Sequence, residues 1–182
     1  MITLYTKRSI IPDVKKLINP FKEDWVNIEE TNCYAYALGL DAGNIDLHSL
    51  FNYNPGTFIE EELYLPFSIK ELLSNLEGDF ETLGIEYIEV NPDFIINKDG
   101  LKKEWKISVM ATREYSLKYY DFHFLRQTIN GIWTHKKGFR EEPTNLDSEH
   151  KKIINPIDSI IETGGLFLNT RYEYIKTYCL RR

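Results

Sequence analysis

The sequence predicts an α+β domain in which helices come first and an antiparallel sheet follows. Three observations carry that prediction. Helical spacing of apolar residues is confined to the first half of the chain and is clearest at 68–76 (SIKELLSNL). From Ile85 onward the apolar pattern has a period of two. Asn130-Gly131 then sits between two such stretches, a strong short-range hairpin signal. Helices gathered ahead of strands, and strands joined by hairpins, point to an antiparallel sheet.

Each element has a local reason. Residues 13–19 (DVKKLIN) read as a short helix stopped by Pro20. Asn32 stands in a good N-cap position before CYAYALGL, which predicts a buried helix over 32–39 beginning at Cys33. Asn54-Pro55-Gly56 is a turn. Ser68 caps the 68–76 helix with Glu71 three residues on, and Ile69, Leu72, Leu73 and Leu76 share one face. Strands are expected at 85–90, 105–111, 119–127 and 132–136, with a Tyr-rich terminal strand at 171–180. The polar stretch 141–152 reads as a surface loop.

Composition narrows the class. The chain has 182 residues, the size of one domain, 1–182. Apolar residues are 42% and aromatics 14%, enough to bury a core, which excludes disordered and fibrous chains. A net charge of −6 leaves no basic footprint, so no nucleic-acid partner is expected. Two cysteines, Cys33 and Cys179, are too few for a disulfide framework and suit a reducing compartment. The start of the chain lacks a signal-peptide pattern. The longest uncharged run, 31–40, would span roughly 15 Å as a helix, about half a bilayer core. A cytoplasmic monomer with no membrane partner is therefore expected. No internal repeat or low-complexity tract is present.

Three residues could carry chemistry: Cys33, His123 and His135. A thiol is mostly protonated at neutral pH, and a neighbouring imidazole can take its proton and later return one to a leaving amine. A third group that holds the other ring nitrogen completes such a site. The hairpin register decides whether the two histidines meet. A two-residue loop would set Arg126 opposite His135 and put the histidines on opposite faces. A three-residue loop, Ile129-Asn130-Gly131, sets Leu125 opposite His135 and puts both histidines on one face as diagonal neighbours. Gly131 suits the left-handed position such a loop requires, so the three-residue loop is expected. Gln127 and Trp133 would share that face. An oxyanion would meet the backbone N–H of Cys33, with Asn32 or Gln127 as a second donor. Trp133 is a candidate substrate contact.

These residues carry a resemblance. Asn32-Cys33-Tyr34 opening an apolar helix, then Asp121-Phe122-His123, then a hairpin reaching Trp133-Thr134-His135, resembles the NlpC-like and CHAP-like branch of papain-fold cysteine peptidases. The stretches NCYAYAL, DFHFLRQ and GIWTHKKG also look like a group of bacterial and phage proteins. The matching motifs cover 32–39 and 105–138, under a quarter of the chain. That branch often carries a second histidine about a dozen positions after the first, as here. Asn32 stands where the branch usually has Asp or Gln, and Tyr34 where it has Ser. The resemblance implies a papain-like fold. It also implies hydrolysis of a peptide or amide bond, or acyl transfer or deamidation, with Cys33 as nucleophile, His123 as base and acid and His135 orienting it. No cofactor is expected, and the partner is a peptide or protein substrate. A phage lysin or an effector acting on a host protein would fit.

Other readings remain open. A non-catalytic binding module, such as a phage-encoded inhibitor of a host protein, would need none of this chemistry. Cys33, Asp121, His123 and His135 could instead bind zinc, although the paired-cysteine spacing of structural sites is absent. His48 and His150 read as surface residues, Cys179 as packing, and the Tyr-rich 172–178 stretch as a sheet face. Gly164-Gly165 lacks a phosphate-loop pattern.

Overall fold

A computed structural model of the chain describes residues 31–40, 53–61, 63–96, 104–113, 119–127, 130–138, 141–162 and 171–182. The expected helix at 13–19, His48 and Gly164-Gly165 lie outside these residues, as does the 41–52 part of the segment before the second helix. The described residues form a mixed α+β structure. Its elements are helix α1 (Cys33–Leu38), a 3-10 turn (Thr57–Ile59), helix α2 (Ile69–Leu83) and five strands. The strands are β1 (Glu86–Val90), β2 (Glu104–Arg113), β3 (Tyr119–Gln127), β4 (Trp133–His135) and β5 (Glu173–Arg181).

All paired strands are antiparallel, in the order β1-β5-β2-β3-β4. The hairpin between β3 and β4 pairs Leu125 with His135, Arg126 with Thr134 and Gln127 with Trp133. This is the register of the three-residue loop. Gly131 has φ 79, the left-handed conformation that side chains resist.

Period-two alternation sorts the sheet into two faces. On one face Trp105, Ile107, Val109, Ala111 and Phe124 pack under both helices, with Tyr34, Leu38, Leu72, Leu76 and Phe80 above them. On the other, Met110, Leu125 and Trp133 meet Ile153, Ile161 and Tyr172. The stretch expected as a surface loop therefore leads into a segment that covers this second face.

α2 starts where expected, with a complete capping box between Ser68 and Glu71. It runs well past residue 76, through Gly78-Asp79, to Leu83. Both of those poor helix formers are held by packing. A Cβ on Gly78 would lie 3.0 Å from Ile59, so the glycine admits a close neighbour. Asp79 is 0% exposed and takes hydrogen bonds from the Tyr34 hydroxyl (2.7 Å) and the amides of Gly56 (2.7 Å), Phe58 (2.7 Å) and Ile59 (3.2 Å). One carboxylate thus ties α1, the 3-10 turn and α2 together.

α1 has only 6 residues, too few to hold a helix by propensity. Tertiary contacts hold it instead. Asn32 caps it through Oδ1, which accepts from Ala35 N at 2.9 Å, and Gly39 ends it at φ 73. Its last carbonyls face the sheet, where Arg126 Nη1 donates to Tyr36 O (3.1 Å) and Trp105 Nε1 to Ala37 O (3.2 Å). The Arg126 guanidinium also lies 4.3 Å from the centre of the Tyr36 ring. Tyr36 and Thr134 hydroxyls meet at 2.6 Å, which fixes the helix against β4. Among the described residues no helix is long and apolar enough to cross a membrane.

Candidate active site

The N-terminal end of α1 meets the sheet where β4 stops. β4 has 3 residues and its last pair is Leu125 with His135, so the next backbone amide of β3, that of Phe124, has no β4 partner. That amide, together with those of Cys33 itself and Tyr34, lies near enough to Cys33 Sγ to favour its thiolate. Three backbone donors therefore converge on one sulfur, the kind of concavity that favours negative charge.

Phe124 follows His123 directly along β3, and Asp121, on the His123 side of that strand, acts on the Cys33 thiol. His123 Nε2 lies 2.8 Å from His135 Nδ1, and the rings stand edge to face at 86°. His135 Nε2 lies 3.0 Å from the carbonyl of Leu146. These contacts assign the tautomers. A carbonyl only accepts, so His135 Nε2 carries the proton. Burial holds the His135 pKa below its usual value, so His135 is neutral near neutral pH and its Nδ1 is bare. That bare Nδ1 accepts from His123 Nε2–H. His123 is pushed well below its usual value, by burial first and then by His135 and Lys137, so it too is neutral. Its remaining nitrogen, Nδ1, is then an unprotonated base.

The thiol is neutral as well. Burial pushes the Cys33 pKa up to about 12, with Asp121 adding to the rise and the three amides opposing it. The residue keeps partial solvent exposure, whereas Cys179 is buried on β5. The resting pair is therefore thiol and imidazole, not thiolate and imidazolium.

Two further groups complete the surroundings. Tyr172 lies 5.2 Å from His123, centre to centre, with the rings tilted by 33°. Its hydroxyl donates to Asp121 Oδ2 at 2.6 Å, and Asp121 Oδ1 accepts from Phe122 N at 2.9 Å. Tyr172 was expected on a plain sheet face; it instead precedes β5 and stacks on a histidine. Neither it nor the Leu146 carbonyl carries a local sequence signal. The Asp121-x-His123 spacing does put both side chains on one side of β3.

The remaining candidates are placed elsewhere. Asn32 uses Oδ1 to cap α1 and Nδ2 to bond Tyr53 O. Gln127 Nε2 donates to Gly131 O at 3.0 Å, inside the hairpin. Trp133 is 1% exposed and packed in the second core cluster, with Lys106 Nζ 5.3 Å from its ring centre. Thus the structure brings Cys33, Asp121, His123 and His135 to one sheet edge and leaves Gln127 and Trp133 out of it. His150 is exposed, with φ 62. Among the described residues no group of three or more His, Cys, Asp or Glu is arranged to hold a metal ion.

No family model, curated protein or solved structure matches this chain.

Proposed function

We propose that the protein is a papain-like thiol hydrolase that cleaves a peptide or amide bond, with Cys33 as nucleophile, His123 as base and acid, and His135 as the orienting residue. One observation carries the reading. The chain of hydrogen bonds from Leu146 O through His135 to His123 leaves Nδ1 of His123 bare, at the strand edge where Cys33 is docked.

The neutral pair sets the order of events. As Sγ attacks the carbonyl carbon, its proton moves to His123 Nδ1, and the carbonyl π electrons move onto oxygen. Backbone N–H groups around Cys33 supply hydrogen bonds to the charge that develops there. Collapse of the tetrahedral species breaks the C–N bond, and the imidazolium returns its proton to the leaving amine. Water then attacks the thioester, losing a proton to His123, and Cys33 is released as a thiol. General acid–base catalysis of this kind contributes about 10²–10⁴-fold. If an amine replaces water the same residues transfer an acyl group, and if the amide is a side-chain carboxamide they deamidate. Cell-wall peptide and host protein are the two substrate classes that the resemblance favours, as for a phage lysin or an effector.

The test is release of new amino groups from cell-wall peptides and from protein substrates, or of ammonia where a carboxamide is hydrolysed. Wild type releases them, and Cys33→Ala, still folded, does not. One observation favours the rival reading of a binding module: the thiol sits far from ionisation. On that reading Cys33→Ala keeps the full biological effect of the protein.

A further inference from the structure

We propose that Tyr172 and Asp121 form a positioning pair for His123, which holds the imidazole plane and so fixes the direction of Nδ1, the nitrogen that takes the Cys33 proton in the proposed reaction. The inference rests on the Cys33–His123 reading above and adds two residues to it.

His135 fixes only one point of the His123 ring, Nε2. A ring tied at one atom can still swing about the line from Cβ to that atom, and this swing would change the direction of Nδ1. The Tyr172 ring lies against the imidazole at 5.2 Å and 33° and blocks that motion. Tyr172 is itself held at both ends. Its amide donates to Ile161 O at 2.8 Å and its hydroxyl to Asp121 Oδ2 at 2.6 Å. A phenol bonded to a carboxylate at that length is a strong, charge-assisted bond. Asp121 is anchored in turn by Phe122 N. The tyrosine is 7% exposed, so the clamp is built into the second core cluster and is not a mobile surface ring.

The pair also sets the local charge. Asp121 raises the Cys33 pKa and Cys33 in turn raises that of Tyr172, while His135 and Lys137 lower that of His123. The carboxylate disfavours a resting thiolate.

Acylation of Cys33 by p-nitrophenyl acetate and its alkylation by iodoacetamide across pH test the inference without the natural substrate. Tyr172→Phe keeps the ring and loses the tether; Tyr172→Leu loses both. Acylation should fall in the order wild type, Phe, Leu, with Leu down on the order of 10- to 100-fold. Asp121→Asn should also slow acylation, yet move the alkylation profile of Cys33 to lower pH, because a like charge beside the sulfur is gone. A merely structural role would not move that profile in this direction. Wild-type acylation in all three variants, or an unmoved profile in Asp121→Asn, overturns the inference. If Asp121→Asn does not fold, the Phe and Leu series decides alone. His123→Ala separates the two levels. If it acylates as wild type, the hydrolase reading falls and this inference with it. If its acylation is lost while the Tyr172 and Asp121 variants are unaffected, only the inference falls.

Discussion

His123 and His135, twelve residues apart in sequence, meet with Nε2 of one 2.8 Å from Nδ1 of the other. A cross-strand diagonal brings their side chains together, and the Leu146 carbonyl sets the direction of the bond between them. Because a carbonyl cannot donate, a proton on His135 Nε2 forces a proton on His123 Nε2. ¹⁵N spectra of the histidine rings near neutral pH should therefore show both histidines neutral and protonated at Nε2. A His123 ring protonated at Nδ1, or charged, contradicts the assignment.

The same relationship predicts how His135 tolerates change. His135→Asn keeps an oxygen able to accept from His123 Nε2–H, whereas His135→Ala leaves that donor unsatisfied. Acylation of Cys33 by a nitrophenyl ester should fall by about 10- to 100-fold in the alanine variant, and by less in the asparagine variant. Equal rates in the two would mean that His135 does not orient His123.

The neutral histidines also shape stability against pH. Both have folded pKa values below the ordinary 6.5. Below that pH the unfolded chain takes up protons that the fold refuses. Their contribution is thus full above the unfolded value and is lost as pH falls toward the folded values. Asp79 acts oppositely, since burial raises it from 3.8 to about 6. Its contribution grows as pH falls from 6 toward 3.8, which offsets only part of the loss. The urea midpoint should drop between about pH 7.5 and about pH 5.5 and drop less steeply in His123→Gln. An identical slope in that variant contradicts the expected proton linkage.

Asp79 matters for architecture more than for chemistry. Asp79→Ala orphans the Tyr34 hydroxyl and three backbone amides in a fully buried place. The expected cost is about 3–5 kcal/mol, read as a fall in the denaturation midpoint. Cys33→Ala, by contrast, should cost about 1 kcal/mol, which leaves a folded protein for activity measurements. A mild effect of Asp79→Ala would show that water or neighbours replace the carboxylate.

Much of this was legible in the sequence for physical reasons. A strand's side-chain period of two is strict, so a loop length fixed by Gly131 determined which face each histidine takes. Asn32 announced α1 because capping is local. What was hidden came from tertiary contacts. α2 continues through Gly78-Asp79 because Ile59 and four buried donors hold those residues, and no helix periodicity records that. Tyr172 looked like one of several strand tyrosines, because its stacking partner is far away along the chain. The Leu146 carbonyl has no side-chain signature at all. Trp133 and Gln127 shared the right face of the hairpin but lie toward its turn, so a shared face did not make a shared site.

The central claim is that His123 is the base for Cys33. The most direct measurement is mass-spectrometric mapping of the acetyl group left by p-nitrophenyl acetate, in wild type and in His123→Ala. The account predicts one acetyl group, on Cys33, in wild type, and little or none at the same time point in His123→Ala. Equal acetylation of Cys33 in both proteins, or acetylation of Cys179 in preference to Cys33, would contradict it.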